Sequence, residues 1–163
     1  MHELAGIVAT QVKPLAKACD VDFRAEVVSP GTVSSRAANL IGIILGHLVQ
    51  NAIQATPRRK RVRLRLLGEA GCVRCEVRDQ GPGFPPDLLP LLFKPCISTK
   101  DGGNGLGLAL CQLLAGHLDA ALDLEQNTAQ GCIFGLTLPE NLAWSDEPGT
   151  EVPQVDESSF KPS

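Results

Sequence analysis

The spacing of apolar and polar residues along the chain predicts alternating helices and strands. Apolar residues recur at intervals of three and four over three segments, which predicts helices at 3–19, 35–55 and 106–117, with a short helical patch at 87–93. Alternation of apolar and polar positions predicts five strands, at residues 21–28, 61–67, 72–79, 121–126 and 132–138. Because this order mixes hairpin-like links with helical crossovers, the pattern favours an α+β fold in which one sheet is covered on one face by helices.

The composition changes after Pro139. Residues 140–163 contain six acidic residues and one lysine, a formal charge of −5, whereas the whole chain carries −3, so residues 1–139 carry +2. A segment of this composition cannot bury enough apolar surface to order itself. We therefore expect one folded domain at 1–139 and a disordered acidic tail at 140–163.

Bulk composition excludes several classes of protein. Apolar residues make up 44% of the chain, as in globular domains, but no apolar run approaches the roughly 18 residues of a membrane span. No signal-peptide pattern follows Met1, and the six cysteines lie mostly in apolar segments, which favours buried thiols in a reducing compartment. We expect a cytoplasmic domain with no membrane contact of its own, which is compatible with a membrane anchor elsewhere in a longer parent protein.

Two local features are weak signs of other functions. Cys72 and Cys75 form a lone C-x-x-C without a second ligand pair, on opposite faces of a predicted strand, so metal binding is not expected there. Arg61, Arg63 and Arg65 suggest nucleic acid, but they alternate with apolar residues and therefore line one face of a strand. Aromatic residues make up only 4% of the chain, too few to stack bases, so we predict no nucleic-acid partner.

His47 and Asn51 lie four residues apart on the second predicted helix, and therefore on one face of it. Asn is a poor helix former, and a buried amide costs free energy unless it is paired. Its carbonyl oxygen suits Mg²⁺, which keeps several waters and takes few protein ligands. A solvent-facing Asn51 and a hydrogen-bonded His47 explain the same residues, so both interpretations stay open for this cluster alone.

Asp79 ends a predicted apolar strand on the face that also carries Val73, Cys75 and Val77. A carboxylate there could accept a hydrogen bond from an exocyclic amine. Gly81 and Gly83 follow, and glycines let the backbone turn sharply and let a flat ring approach. An ordinary turn after a strand has the same composition, so this signal alone is weak.

Glycines precede the last predicted helix, in the segment Gly102-Gly103-Asn104-Gly105-Leu106-Gly107-Leu108. Free N–H groups and the helix dipole make such a start an anion site, and glycines let phosphate approach. The segment lacks the Walker A lysine and has neither the spacing nor the preceding strand of a dinucleotide-binding fingerprint. A flexible linker is an equally good interpretation of this segment by itself.

In chain order, these clusters supply a magnesium ligand, an amine acceptor and a phosphate cradle, which together describe a nucleotide site. Asn51, then Asp79-x-Gly81-x-Gly83, then Phe93, then the glycine segment ending at Leu108 resemble the N, G1, F and G2 boxes of the GHKL superfamily of ATP-binding domains. Residues 92–100 are similar to the short ATP lid of sensor histidine kinases, and residues 135–139 are similar to the end of that domain. The resemblance spans residues 3–139 and implies a Bergerat-type two-layer α/β sandwich with a mixed sheet and helices on one face.

The resemblance also implies a role for each matching residue. Asn51 would coordinate Mg²⁺, and Asp79 would accept a hydrogen bond from adenine N6. His47 stands where hydrolysing relatives carry a glutamate that activates water, and it would orient the reacting groups instead. The remaining nucleotide contacts implied by the resemblance are Gly81, Gly83, Phe93, Lys100, Gly103, Gly105, Leu106, Gly107 and Thr137.

The activity implied is that of a protein histidine kinase with ATP and Mg²⁺ as cofactors. The γ-phosphoryl group would pass to a histidine on a separate dimerisation domain, upstream or on a partner, and a response regulator would act downstream. Gln54 and Ala55 depart from the basic residue and the tyrosine that many such kinases carry, which leaves phosphate binding more dependent on the lid. Three alternatives stay open: another GHKL ATPase, an anti-sigma-type serine kinase, and a nucleotide-binding module without transfer.

Overall fold

The computed structural model describes residues 1–29, 33–69, 72–95 and 106–139. Within these ranges the chain forms three helices and five strands, with a 3-10 turn at Leu89–Leu91. The helices are α1 (His2–Cys19), α2 (Ser35–Ala55) and α3 (Gly107–His117). The strands are β1 (Asp22–Ser29), β2 (Arg61–Glu69), β3 (Cys72–Arg78), β4 (Ala121–Thr128) and β5 (Gly131–Leu138).

The strands form one mixed sheet in the order β1-β2-β3-β5-β4. β1 and β2 are parallel because α2 connects them as a crossover, whereas the other three pairs are antiparallel. Opposite residues such as Leu66 and Cys75 show that β2 and β3 form the predicted hairpin. The α+β class and the mixed sheet predicted from the sequence are therefore confirmed.

All three helices lie on one face of the sheet. The strand residues that point to the helices are buried and apolar, and they include Val62, Leu64, Leu66, Val73, Cys75, Val77, Phe134, Leu136 and Leu138. The alternate residues point away and form the open face of the sheet, among them Arg63, Arg74, Arg78 and Glu76. The basic strand face predicted from the sequence is this open face, where Arg74 pairs with Glu125 at 2.6 Å and Arg65 with Glu76 at 3.9 Å.

Helix α2 is the centre of the helical layer. It begins after Ser34, whose hydroxyl accepts a hydrogen bond from the Ala37 amide at 3.3 Å, and it ends before Pro57, which disfavours helix in the preceding residue. Nine of its residues are buried against the sheet and the flanking helices. A helix apolar on this much of its surface must be covered on both sides, and α1 and α3 supply that cover.

Several predictions can be compared with the structure only in part. The helical patch at 87–93 contains the 3-10 turn, and the predicted loop at 94–104 and the tail at 140–163 lie largely or wholly outside the described residues. No helix in the described ranges is long and apolar enough to cross a membrane. The domain boundary at residue 139 stays a prediction.

Candidate nucleotide-binding site

Two polar residues of α2, His47 and Asn51, lie on one face of the helix in line with Ala55. His47, Asn51 and Ala55 follow one another at intervals of four, so they lie on one face in consecutive turns. His47 and Asn51 are partly buried. Within the described part of the chain, no hydrogen bond to the Asn51 carboxamide is found, so its oxygen is available to a ligand.

Helix α3 begins against this face. A Cβ built on Gly107 would stand 3.8 Å from Asn51 Nδ2 and 4.0 Å from His47 Nδ1. The residue before the helix, Leu106, provides no side-chain cap, so the first amides of α3 keep their capacity to bind an anion. The Cys111 thiol donates to the Ile44 carbonyl oxygen at 3.7 Å and ties α3 to α2 one turn further on. The helix start thus lies beside the Asn51 amide, as the sequence analysis requires.

Asp79 lies at the end of β3 and is only 6% exposed. Its Oδ1 accepts from the amides of Gly81 at 2.8 Å and Cys132 at 3.1 Å, and its own amide donates to the Cys132 carbonyl oxygen at 3.0 Å. A buried carboxylate needs such donors, because removing an unpaired charge from water is costly. Both described hydrogen bonds end on Oδ1, which leaves Oδ2 to accept from a ligand.

The turn after Asp79 requires glycine at two positions. A Cβ on Gly81 would stand 2.8 Å from the Ala55 carbonyl oxygen, closer than real side chains approach. Gly83 has φ +77°, and a Cβ there would meet Thr128 O at 2.5 Å and Asn127 Oδ1 at 2.8 Å. The two glycines therefore let the turn lie between the end of α2 and the end of β4.

These contacts bring Asp79 and Gly107 to one site. Gly81 touches Ala55, Gly107 faces Asn51, and these two α2 residues are one turn apart, about 6 Å along the helix axis. The strand-end carboxylate and the start of α3 therefore border the same short stretch of α2. A single ligand that carries an amine at one end and an anionic group at the other could contact both.

Two polar residues missed by the sequence analysis anchor the turn to its surroundings. The Gln80 amide donates to Thr56 Oγ1 at 3.4 Å, and Gln80 Oε1 accepts from the Arg61 amide at 2.7 Å. Thr56 is buried although it is polar. In the sequence, the only sign of this role was that Thr56 lies between the helical pattern and Pro57. Its hydrogen bond with Gln80 could not be predicted, because it depends on where β2 starts relative to the turn.

A third missed residue, Asn127, lies on β4 opposite Cys132. Its Nδ2 donates to the Phe84 carbonyl oxygen at 2.9 Å, and its Oδ1 accepts from the Phe84 amide at 2.7 Å. Asn is depleted in strands, which was the one sign that this position does more than extend the sheet.

Three aromatic residues support the site from the side. Phe93 and Phe84 both pack edge-on against Phe134 of β5, with ring centroids 6.4 Å and 6.2 Å apart. Such pairs stabilise by about 0.5–1.5 kcal/mol beyond their buried area. Phe93, which the resemblance places among the nucleotide contacts, therefore joins the segment after the 3-10 turn to the core beside the Asp79 turn.

The structure contradicts one predicted contact. Thr137 lies on β5 opposite Arg74, and its neighbours Leu136 and Leu138 are fully buried in the core, so Thr137 itself points to the open face. Asp79 continues the core-facing series of Val77. The prediction that Thr137 contacts the nucleotide is wrong, because strand alternation places it across the sheet from Asp79.

Three other predicted residues, Lys100, Gly103 and Gly105, lie outside the described residues. In the ranges that are described, no three His, Cys, Asp or Glu side chains converge on a point where they could hold a metal ion. Cys72 and Cys75 differ in burial, consistent with opposite strand faces. A divalent cation at this site would therefore rest on the Asn51 amide oxygen and on groups of the ligand.

The thiols near the site are poor nucleophiles. Burial raises the pKa of the Cys132 thiol to about 11, and the charge of Asp79 adds to the rise. Burial raises the pKa of the Cys111 thiol, which lies between α3 and α2, to about 12. Both groups are neutral near pH 7, so they serve as weak hydrogen-bond donors and packing groups.

Comparison with known proteins agrees with this geometry. Residues 37–142 match the family described as histidine kinase-, DNA gyrase B- and HSP90-like ATPases. The chain is 30% identical over 139 residues to the sensor protein CitS of Halalkalibacterium halodurans, an alignment that covers 82% of this chain and 26% of that protein.

Solved structures show the same fold. Full-length ShkA in complex with AMPPNP superposes with a TM-score of 0.74 at 29% identity, covering 84% of this chain and 29% of that one. A nucleotide-free form of the catalytic domain of histidine kinase ThkA gives 0.71 at 25% identity, covering 86% and 92%. The chain thus spans about a quarter of the sensor protein that it matches and nearly the whole of an isolated catalytic domain.

Proposed function

The chain belongs to the family of histidine kinase-, DNA gyrase B- and HSP90-like ATPases, and from this premise we propose that it is the ATP-binding catalytic module of a sensor histidine kinase. One observation carries the proposal: Asp79 and Gly107 border neighbouring turns of α2, where Ala55 and Asn51 lie about 6 Å apart along the axis. That spacing lets one nucleotide place its base at the Asp79 turn and its phosphates at the start of α3.

The Asp79 turn binds the adenine. Oδ1 is held by the amides of Gly81 and Cys132, so Oδ2 accepts a hydrogen bond from the exocyclic amine at adenine N6. Gly81 and Gly83 carry no Cβ, which leaves room for the flat ring beside the turn. Guanine presents an oxygen where adenine presents this amine, so the carboxylate repels it and favours ATP over GTP.

The phosphates lie against Asn51 and the start of α3. Mg²⁺ fits this end of the site because a carboxamide oxygen is a hard ligand, and one protein ligand is enough for an ion that keeps its waters and shares the phosphates. When bound, the ion neutralises charge on the transferring phosphoryl group. The amides that begin at Leu106 and Gly107 bind phosphate oxygens, and we assign Lys100, Gly103 and Gly105 to the same end on the resemblance alone.

The reaction transfers the γ-phosphoryl group to a histidine. The lone pair of an imidazole nitrogen forms the N–P bond as the bond to the bridging oxygen breaks, and ADP leaves with that electron pair. A neutral imidazole needs no base to become a nucleophile, unlike a hydroxyl. His47 therefore has an orienting role, and catalysis consists mainly of positioning and charge stabilisation.

The acceptor histidine belongs to a separate helical dimerisation domain, and a response regulator receives the phosphoryl group from it. The chain contains only three histidines, of which His47 lies in the site itself. His2 opens α1 and His117 closes α3, at the end away from Asn51. An acceptor supplied by a partner domain is consistent with a chain that spans 26% of a sensor protein.

Transfer of label from [γ-³²P]ATP tests the proposal. The chain is mixed with the helical dimerisation domain of its parent protein, and phosphohistidine is identified by stability to alkali and lability to acid. We expect label on that domain and not on a variant in which its histidine is replaced. Acid-stable label on serine would favour a serine kinase, in which His47→Ala would be severe, and ATP binding without any labelled product would favour a nucleotide-sensing module.

A further inference from the structure

We propose that Asn127 is a positioning residue of the purine pocket, because its carboxamide fastens the turn at 81–84 to β4 beside Asp79. The inference rests on the proposed ATP-binding function. Asn127 touches neither Asp79 nor the site of the base by any described hydrogen bond, so it would act through the turn and not on the nucleotide.

The first support is the geometry of the carboxamide. Nδ2 donates to Phe84 O and Oδ1 accepts from Phe84 N, at 2.9 Å and 2.7 Å, so the side chain pairs with both backbone groups of one residue as a neighbouring strand would. Oδ1 accepts in addition from the Cys132 thiol at 3.3 Å. One side chain thus makes three hydrogen bonds at a position where β4 itself pairs with β5.

The second support is that these bonds complete a closed circuit through Asp79. The Cys132 backbone makes two hydrogen bonds with Asp79: its amide donates to Asp79 Oδ1, and its carbonyl oxygen accepts from the Asp79 amide. Asp79 Oδ1 also accepts from the Gly81 amide, and the backbone continues through Gly83 to Phe84. The Phe84 amide donates to Asn127 Oδ1, which also accepts from the Cys132 thiol, so the ring of contacts closes at Cys132. The orientation of the carboxylate and the position of the turn are therefore fixed together.

The third support is the packing around Gly83. A Cβ at Gly83 would stand 2.8 Å from Asn127 Oδ1, which shows how closely the carboxamide lies against the turn. Gly83 has φ +77°. Glycine can adopt many other backbone conformations, so the contacts of its neighbours are needed to hold this one. Removal of the Asn127 bonds would free this turn, so that Asp79 Oδ2 would no longer be held toward the base.

The chemistry of the position favours Asn over its isostere. Aspartate would keep the acceptor for Phe84 N and the Cys132 thiol but would lose the donor to Phe84 O. It would also add a negative charge near Asp79, which is already buried. We expect Asn127→Asp to be impaired like Asn127→Ala, which removes all three bonds.

Calorimetry with ATP and GTP, with and without Mg²⁺, tests the inference on the whole chain. Asn127→Ala is expected to raise the Kd for ATP about tenfold and to reduce the ratio of GTP to ATP dissociation constants by a similar factor. The gain in ATP affinity produced by Mg²⁺ should stay as in the unmodified chain, because it arises at Asn51. Gln126→Ala is the matched control, since Gln126 neighbours Asn127 but pairs with Ile133 on the open face.

The outcomes separate a positioning role from a structural one. Unchanged ATP affinity and ATP preference in Asn127→Ala would overturn the inference, as would a uniform loss for ATP, GTP and the Mg²⁺ effect. If Asn127→Ala does not fold, the same comparison is made with Asn127→Asp, which keeps two of the three bonds. Absence of ATP binding by the unmodified chain would instead defeat the proposed function, so the two failures are distinguishable.

Discussion

Gly81 touches Ala55: a Cβ on Gly81 would stand 2.8 Å from the Ala55 carbonyl oxygen. Because Ala55 lies one turn beyond Asn51, this contact sets the distance between the purine end and the phosphate end of the proposed site. The contact joins a loop to the last turn of a buried helix, which cannot move without disturbing the core. The two ends of the proposed site are thereby held at a fixed separation by a rigid element.

Replacement of Gly81 by alanine should therefore damage the site. The new Cβ meets backbone and not a flexible side chain, so the turn must shift away from α2. We expect at least a tenfold loss of ATP affinity by calorimetry, together with a lower melting temperature. Gly6→Ala is the control, because Gly6 lies within α1 with open space around its Cβ position, and alanine there favours the helix by up to about 1 kcal/mol. Wild-type affinity in Gly81→Ala would show that the contact does not set the spacing.

The elements of this fold were predictable because local chemistry marks them. Ser34 and Pro57 bound α2, whose predicted limits of 35 and 55 are those observed, and the alternation of arginine with apolar residues marks β2. The order of strands was not predictable from these patterns. It places β5 between β3 and β4, and that arrangement depends on long-range packing that no local pattern records.

The site divides in the same way. Motifs in the sequence mark Asp79 and Gly107 as candidates, whereas the place of Asn127 depends on the register between β4 and β5, which shifts between Leu124 and Gln126. Thr137 was misassigned for a related reason. The sequence of a strand does not say which of its two faces points to the core. For β5 this became clear only from its pairing with β3.

Asp79→Asn should abolish the preference for adenine. The amide keeps an oxygen for Gly81 and Cys132 but places an NH₂ group where Oδ2 accepts from the base. A hydrogen bond to a charged group contributes about 1.5–3 kcal/mol, so the Kd for ATP should rise at least tenfold in calorimetry. Asp123→Asn, a loss of the same charge from an exposed residue of β4, should leave the Kd unchanged. Equal effects of the two substitutions would mean that only net charge matters.

Asn51→Ala should remove the effect of Mg²⁺ on ATP binding. The Asn51 carboxamide lies beside the start of α3. Its oxygen is the protein ligand assigned to the ion, so its loss leaves the ion with phosphates and water alone. The Kd for ATP measured in EDTA should change little. The Kd for ATP measured in Mg²⁺ should rise toward the value found in EDTA. Gln54→Ala, an exposed residue on the same helix, is the control and should retain the full Mg²⁺ effect. A Mg²⁺ effect that survives in Asn51→Ala would place the ion elsewhere.

Buried thiols should make the fold less stable in alkali. Burial raises the pKa of Cys75 from its ordinary 9.0 to about 12, so between these values the unfolded chain loses a proton that the folded chain keeps. The stabilisation is complete below pH 9 and falls as pH rises toward 12, by about 1.4 kcal/mol per pH unit for each such thiol. Urea unfolding at pH 8 and pH 10.5 measures this loss, and Cys75→Ala, which removes the titrating group, should show a smaller loss than the unmodified chain. The same loss in both proteins would mean that the Cys75 thiol is accessible to water in the folded domain.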